Sequence, residues 1–418
     1  MLRRFFLNDK NVERQAVVWN ILATTTTSFQ SMLLMMVLTR NNDFTASSII
    51  AISYSIANLA MTVGKYGIRN FQVSDVKEKY SYETYARARN VTVLLMALFS
   101  VLYLVRGTVF DQYTTEKSAC ILLVCAFKGI ETMEDVRHGR MQQLNRLDIG
   151  MRILSVRNIV YIIEFFVVYC LTENVLLTLL VSVMTSAVLS FALNRLPEEI
   201  VYFRSSGSGT GTVRDLLLEC LPVALITFLL MYIGNAPKYI IDSVVSEEEQ
   251  TCFNIIFMVI FAVSLMSTFI FNPLLRRLSV LWSERERNKL LKLIAKCILY
   301  ITGVVLFGMV FANVIGRKLL GWIYGVSLEN YKNEVLIMLA SGGCIAVLNL
   351  MNLLFVLIRQ QTFMMVLCSV VSLVLLFFGR ACLGLWGMTG LMIAYTLLLG
   401  FLNLVLLLYL VRKVRHSA

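Results

Sequence analysis

The stretch SIANLAMTVGKYGIRNFQVSD, Ser55 to Asp75, decides how this chain is read. Its first half lies within a long apolar run, yet Ser55, Asn58, Thr62, Lys65 and Arg69 recur at steps of three and four. At 100° per residue these five positions fall within an arc of about 80°. One face of a membrane-spanning helix is therefore polar and becomes cationic towards one end. Lipid tails cannot hydrogen-bond such a face, so it must meet protein or water. A polar seam packed on a neighbouring helix would satisfy it. The two cations at its end favour a wetted cavity.

Composition sets the class around this stretch. Of 418 residues, 58% are hydrophobic and only 15% are charged, with a mean hydropathy of +0.74. Soluble domains carry more charge and less apolar surface. Apolar runs of ~20 residues, each long enough to cross a bilayer as a helix, recur from end to end. The expected spans are 15–39, 44–68, 87–106, 117–138, 150–171 and 174–195, then 215–235, 250–274, 290–313, 333–358, 361–379 and 385–411. The fold class is thus an all-α integral membrane protein with about 12 transmembrane helices. The Gly/Ser-rich segment 204–214, RSSGSGTGTVR, reads as a linker between a bundle at 1–203 and another at 215–418.

The charge of +12 invites a nucleic-acid reading, but its distribution excludes one. Of the 38 Lys and Arg residues, 29 fall in alternate loops and their flanks, eight on the other side, and Lys128 mid-span. This asymmetry places both termini in the cytoplasm of a multi-pass inner-membrane protein. The nine cysteines form no C-x-x-C pair and lie mostly in apolar runs, and His138 and His416 are the two imidazoles. No metal site or disulfide framework is expected. Nor does the chain contain a phosphate-binding loop, a nucleophile elbow or zinc-ligand spacing, so an enzyme is not expected.

Further polar constellations sit inside the spans. Lys128 lies about ten residues into the fourth span, near mid-depth, and Glu131, Asp135 and His138 follow on its face, with Glu134 beside them. Charges at that depth are costly and usually functional. A Lys128–Glu131 pair one turn apart would also tie helices together. Arg157, Tyr161 and Glu164 share a face of the fifth span, where Glu164 either pairs with Lys128 or takes up a proton. Asn20, Thr24, Thr27 and Ser31 mark the first span, and Asn349 and Asn352 the tenth. Lys238 lies at the outer end of the seventh with Asn235 and Asp242. Asn272-Pro273 is expected to end or kink the eighth.

Four segments carry a resemblance. GKYGIRNFQVSD at 64–75, KGIETMEDVRHGRMQQLNRLDIGMR at 128–152, NAPKYIID at 235–242 and FIFNPLLRRLSVLW at 269–282 resemble, in order and spacing, segments of bacterial polysaccharide-repeat (O-antigen) flippases. These belong to the multidrug/oligosaccharidyl-lipid/polysaccharide exporter superfamily. The resemblance implies a MATE-like fold, two six-helix bundles around a central cavity. It implies movement of undecaprenyl-diphosphate-linked oligosaccharide from the inner to the outer leaflet by alternating access. No cofactor is implied, and coupling to H+ or Na+ stays open. Membrane lipids and glycan polymerase machinery are further candidate partners. The substrate-binding candidates are Lys65, Arg69, Asn58, Lys128, Glu131, Arg157, Glu164 and Lys238. Lys65 and Arg69, helped by Arg157, would receive the diphosphate, because Arg offers paired donors to phosphate and Lys a point charge. A multidrug/cation antiporter of the same superfamily, a membrane-embedded glycan polymerase or ligase and a non-transporting scaffold are the rival readings.

Overall fold

The structure is a computed structural model, and it describes residues 5–7, 11–75, 78–197, 211–242 and 244–416. Within these, the side chains at 265, 268–273, 275–276 and 416 are not described. The described residues are helical almost throughout and contain no strand. The linker expected at 204–214 lies outside the described residues as far as residue 210.

The chain divides into two compact units, Met1–Met231 and Tyr232–Ala418. In the first, α1 spans Val12–Arg40, α2 Phe44–Lys65, α3 Ile68–Ser74, α4 Tyr82–Phe110, α5 Thr115–Gln143, α6 Leu147–Thr172 and α7 Val175–Asn194. The beginning of α8, Val213–Ile241, completes it. Side-chain caps set the starts. Asp43 accepts from the amide of Ala46 at 2.8 Å, and Ser81, Thr114 and Asn174 accept from the amides of Thr84, Lys117 and Leu177. Each cap satisfies one donor that the first turn leaves without an intrahelical partner. Helix α2 packs extensively on α5, and α1 on α6.

In the second unit, α9 spans Glu247–Ser283, α10 Arg287–Phe311, α11 Arg317–Tyr324, α12 Lys332–Leu357 and α13 Gln361–His416. A π-helical turn at Ala312–Gly316 joins α10 to α11. Helix α12 packs on both α9 and α13. Of the two outcomes expected at Asn272-Pro273, an end or a kink, the end does not occur: α9 continues to Ser283. A proline inside a membrane helix is tolerated because neighbouring groups re-satisfy the freed carbonyl.

Nine helices among the described residues are long and apolar enough to cross a membrane. Helix α5 is outside that set because of its charges, and α9 also stands outside it. Helix α13 is broken by non-helical backbone at Gly387, with φ at 65°, and so counts as two limbs. Adding α5, α9 and the second limb brings the number to the twelve expected. Large apolar side chains point outward along these helices, including Leu94, Leu98, Val101 and Val105 on α4. Water would not tolerate an apolar surface of that extent, but hydrocarbon does.

Candidate functional site

The polar stripe of the quoted segment does not run on one straight helix. Helix α2 ends at Lys65, where Tyr66 (φ 50°) and Gly67 (φ 70°) adopt left-handed backbone, and α3 begins at Ile68. The extrapolation at 100° per residue therefore fails between Lys65 and Arg69. Deeper in, the Ser55 and Thr62 hydroxyls donate to the carbonyls of Ala51 and Leu59 on their own helix and are buried. Asn58 is half-buried and makes no hydrogen bond with any described residue.

What the stripe meets is α5. Lys65 Nζ lies 3.2 Å from Glu131 Oε1, and Arg69 Nη1 lies 3.3 Å from Asp135 Oδ1. The two carboxylates are one turn apart on α5, so the bend at Gly67 still presents two cations to two matching acids. Each acid also holds a second cation. Lys128 Nζ donates to Glu131 Oε2 at 2.9 Å and to Gln30 Oε1 at 3.0 Å. Arg89 Nη2 donates to Asp135 Oδ2 at 2.7 Å, and Arg89 also donates to the carbonyl of Gly64.

The two cations on each acid differ in accessibility. Lys65 and Arg69 side chains are 34% and 25% exposed, whereas Lys128 and Arg89 are each 1% exposed. Every carboxylate in this pair of clusters thus has one buried partner and one that reaches solvent. Close packing holds the arrangement. A Cβ on Gly64 would meet Met96 Sδ at 2.7 Å and Thr132 Cγ2 at 2.9 Å, so this position brings α2 against α4 and α5. The Lys128 ammonium lies 5.4 Å from the centre of Phe127 and 5.7 Å from that of Tyr54, within range of cation–π attraction.

A third acid extends the network. Glu134 Oε1 accepts from Ser190 Oγ at 2.6 Å and from Asn194 Nδ2 at 2.9 Å on α7, while Oε2 lies 3.3 Å from Arg157 Nη2. Arg157 is completely buried, over the Phe127 ring. Its contact with Glu134 lacks hydrogen-bond geometry, and no guanidinium nitrogen of Arg157 has a hydrogen-bond partner among the described residues. An Arg with its donors open is receptive to an oxyanion or to water.

The remaining candidates stand apart. Glu164 does not pair with Lys128. Its Oε1 accepts from Thr185 Oγ1 at 2.7 Å, while Oε2 is buried without a hydrogen-bond partner among the described residues. It points to α7, because Lys128 is already held by Glu131 and Gln30. Lys238 belongs to the second unit, where its ammonium lies 4.7 Å from the Phe257 ring centre. In the segment between α3 and α4, the Lys79 ammonium donates to Glu219, and that bond raises its pKa above the ordinary lysine value.

The sequence singles out Lys65, Arg69, Lys128, Glu131 and Asp135 but pairs only Lys128 with Glu131; the structure joins all five and adds Arg89 and Gln30. Arg89 reads as an ordinary loop cation, because nothing local links it to Asp135, 46 positions away. One signal is present: Arg89 stands at the start of a mostly apolar run, where a cation can be drawn inward if a partner awaits it.

No protein-family model matches the chain, and no curated protein matches it by sequence. Solved structures do match its fold. An inward-facing multidrug resistance MATE family transporter of the MOP superfamily superposes with a TM-score of 0.67 at 14% identity, covering 96% of this chain and 100% of its own. A Vibrio cholerae MATE transporter variant gives 0.61 at 12% identity, covering 97% of this chain and 99% of its own. A MOP superfamily transporter from Pyrococcus furiosus, whose binding pocket of reversed polarity is said to suggest a different function, gives 0.60 at 11% identity, covering 99% of each chain. The chain has the MATE-like membrane fold.

Proposed function

We propose that this protein is a membrane transporter that carries an anionic, lipid-linked substrate. In this reading the substrate is an undecaprenyl-diphosphate-linked glycan repeat unit, moved from the inner to the outer leaflet of a bacterial inner membrane by alternating access. The observation that carries the reading is the charge balance of the network. Five cations, Lys65, Arg69, Arg89, Lys128 and Arg157, face three carboxylates, Glu131, Glu134 and Asp135. A surplus of positive charge at low dielectric favours an anionic guest.

The paired arrangement supplies a mechanism. Lys65 can leave Glu131 for a phosphate oxygen while Lys128 keeps that acid paired. Arg69 can leave Asp135 while Arg89 does the same. The substrate then gains two charge-assisted contacts without stranding a buried charge, which would otherwise cost several kcal/mol. In this reading Arg157 offers its open donors and Asn58 its amide to the glycan, and Lys238 is a further candidate contact. Genetic loss tests the reading. Cells lacking the protein should accumulate a lipid-linked glycan intermediate on the inner leaflet. Sensitivity to cationic drugs without that accumulation would refute it.

A second reading has its own observation. Glu164, half-buried with its Oε2 buried and without a hydrogen-bond partner among the described residues, is a carboxylate of the kind that binds a proton or a cation in a multidrug/cation antiporter. Exchange of organic cations for protons or Na+ in vesicles would favour it.

A further inference from the structure

A cavity of about 340 Å³ opens in the first unit between the N-terminal end of α4 and the C-terminal end of α5. It is lined by Arg87, Arg89 and Arg137, with Asn90 beside them and Met133 and Val136 as its apolar wall. Glu83 is the one carboxylate of the lining. It lies 3.6 Å from Arg87, and both side chains are more than 70% exposed, a geometry that contributes little. Arg137 makes no ion pair or hydrogen bond with any described residue. Arg89 presents a buried Nε that lacks a hydrogen-bond partner among the described residues. The lining thus has a cationic surplus and an orphaned buried donor.

The surface next to the cavity supplies the second half of the argument. On α4, Asn90 leads into the exposed apolar series Leu94, Leu98, Val101 and Val105, at helical steps of three and four. On α5, Leu122, Ala126, Gly129, Met133 and Arg137 follow the same rule. A Cβ on Gly129 would meet nothing within 4 Å, so the stripe there is an open furrow. Two exposed apolar stripes therefore run to one polar cavity; the α5 stripe ends in Arg137, and the α4 stripe ends in Asn90, one turn from Arg87.

From this we infer that the cavity holds the headgroup of a resident anionic phospholipid, whose acyl chains lie along the α4 and α5 stripes. The phosphate meets Arg87 and Arg137, and the Arg89 Nε donates to it. Because Arg89 also binds Asp135, the bound lipid braces the buried member of that pair from outside the transport path. This site is separate from the one formed by Lys65 and Arg69, and it does not depend on the nature of the transported molecule.

Native mass spectrometry of the purified full chain tests the assignment, with phosphatidylglycerol and phosphatidylcholine as probes. The protein should retain phosphatidylglycerol in preference to phosphatidylcholine. Each juxtamembrane cation is worth roughly a fivefold change in affinity, about 1 kcal/mol. The double variant Arg87→Gln, Arg137→Gln should then retain phosphatidylglycerol roughly 25-fold more weakly. The Arg87→Lys, Arg137→Lys pair should keep most of the preference, which separates loss of charge from loss of fold. Inorganic phosphate should not displace the lipid, because it has no chains to place in the furrow. Unchanged phosphatidylglycerol retention in the Gln pair, or equal retention of the two lipids, would overturn the assignment. Displacement by inorganic phosphate would make this a free-anion site instead. Displacement by undecaprenyl diphosphate would assign the cavity to the substrate path, and either result rejects a resident lipid.

Discussion

Glu131→Gln removes the acid shared by Lys65 and Lys128, and its cost can be worked from the geometry. At an effective dielectric of about 20, charges ~3 Å apart attract by about 5–6 kcal/mol. The substitution leaves Lys128 buried without an anion, with neutral acceptors alone, Gln30 and the new amide. Stranding a buried charge costs about 3–5 kcal/mol. Lys65 adds little, because its side chain is 34% exposed and water can take over. Lys128→Met is the informative contrast. It removes the buried cation but leaves Glu131 paired with Lys65 at 3.2 Å, so it should cost about half as much or less. The double variant should recover most of the loss, since replacing both halves of a buried pair by neutral groups is often near neutral. Thermal unfolding in detergent measures all three. With roughly 2–4 °C per kcal/mol for a domain of this size, Glu131→Gln should lower Tm by about 6–20 °C. If Glu131→Gln unfolds with the unaltered protein, or if Lys128→Met is the more damaging single change, the assignment of the network is wrong.

Asp135→Asn should be at least as destabilising as Glu131→Gln, because it strands Arg89, which is 1% exposed; the same melts check it. Gly67→Ala should cost about 1–3 kcal/mol from left-handed backbone alone, and its Cβ would meet Val223 Cγ1 at 2.9 Å, so lower Tm together with weaker substrate binding is expected. Glu164→Gln should leave Tm nearly unchanged, since the amide carbonyl can still accept from Thr185, and should leave lipid-linked glycan transport intact while abolishing any cation exchange. For topology, a thiol placed at Lys79 should react with reagent from the cytoplasmic side and one at Glu116 from the outer side; labelling of both from one face contradicts the orientation.

The architecture was largely legible because hydropathy and helix length dictate it. Runs such as 87–106 must cross a bilayer, and α4 does span Tyr82–Phe110. Charge on α5 was legible for the same reason: Lys128, Glu131, Glu134, Asp135 and His138, five buried ionisable residues on one helix, demand partners. The partners themselves were not. The bend at Tyr66 and Gly67 breaks the stripe that periodicity implied, and a left-handed residue such as Tyr66 carries no reliable local signal. The sequence leaves Glu164 either to pair with Lys128 or to take up a proton, because both residues sit near mid-depth. Depth does not fix the direction of a side chain, and α7 rather than α5 faces Glu164. Gln30 and Arg89 reach their partners across 98 and 46 positions, and a single sequence has no periodicity that spans such gaps.

Translocation of undecaprenyl-diphosphate-linked oligosaccharide by the double variant Lys65→Gln, Arg69→Gln in proteoliposomes tests the central claim most directly. Both cations are the accessible members of their pairs, so the variant should fold, with a Tm close to that of the unaltered protein. The account predicts that the unaltered protein moves the lipid-linked glycan between leaflets and that the folded double variant does not. Translocation at the unaltered rate by that folded variant would contradict it.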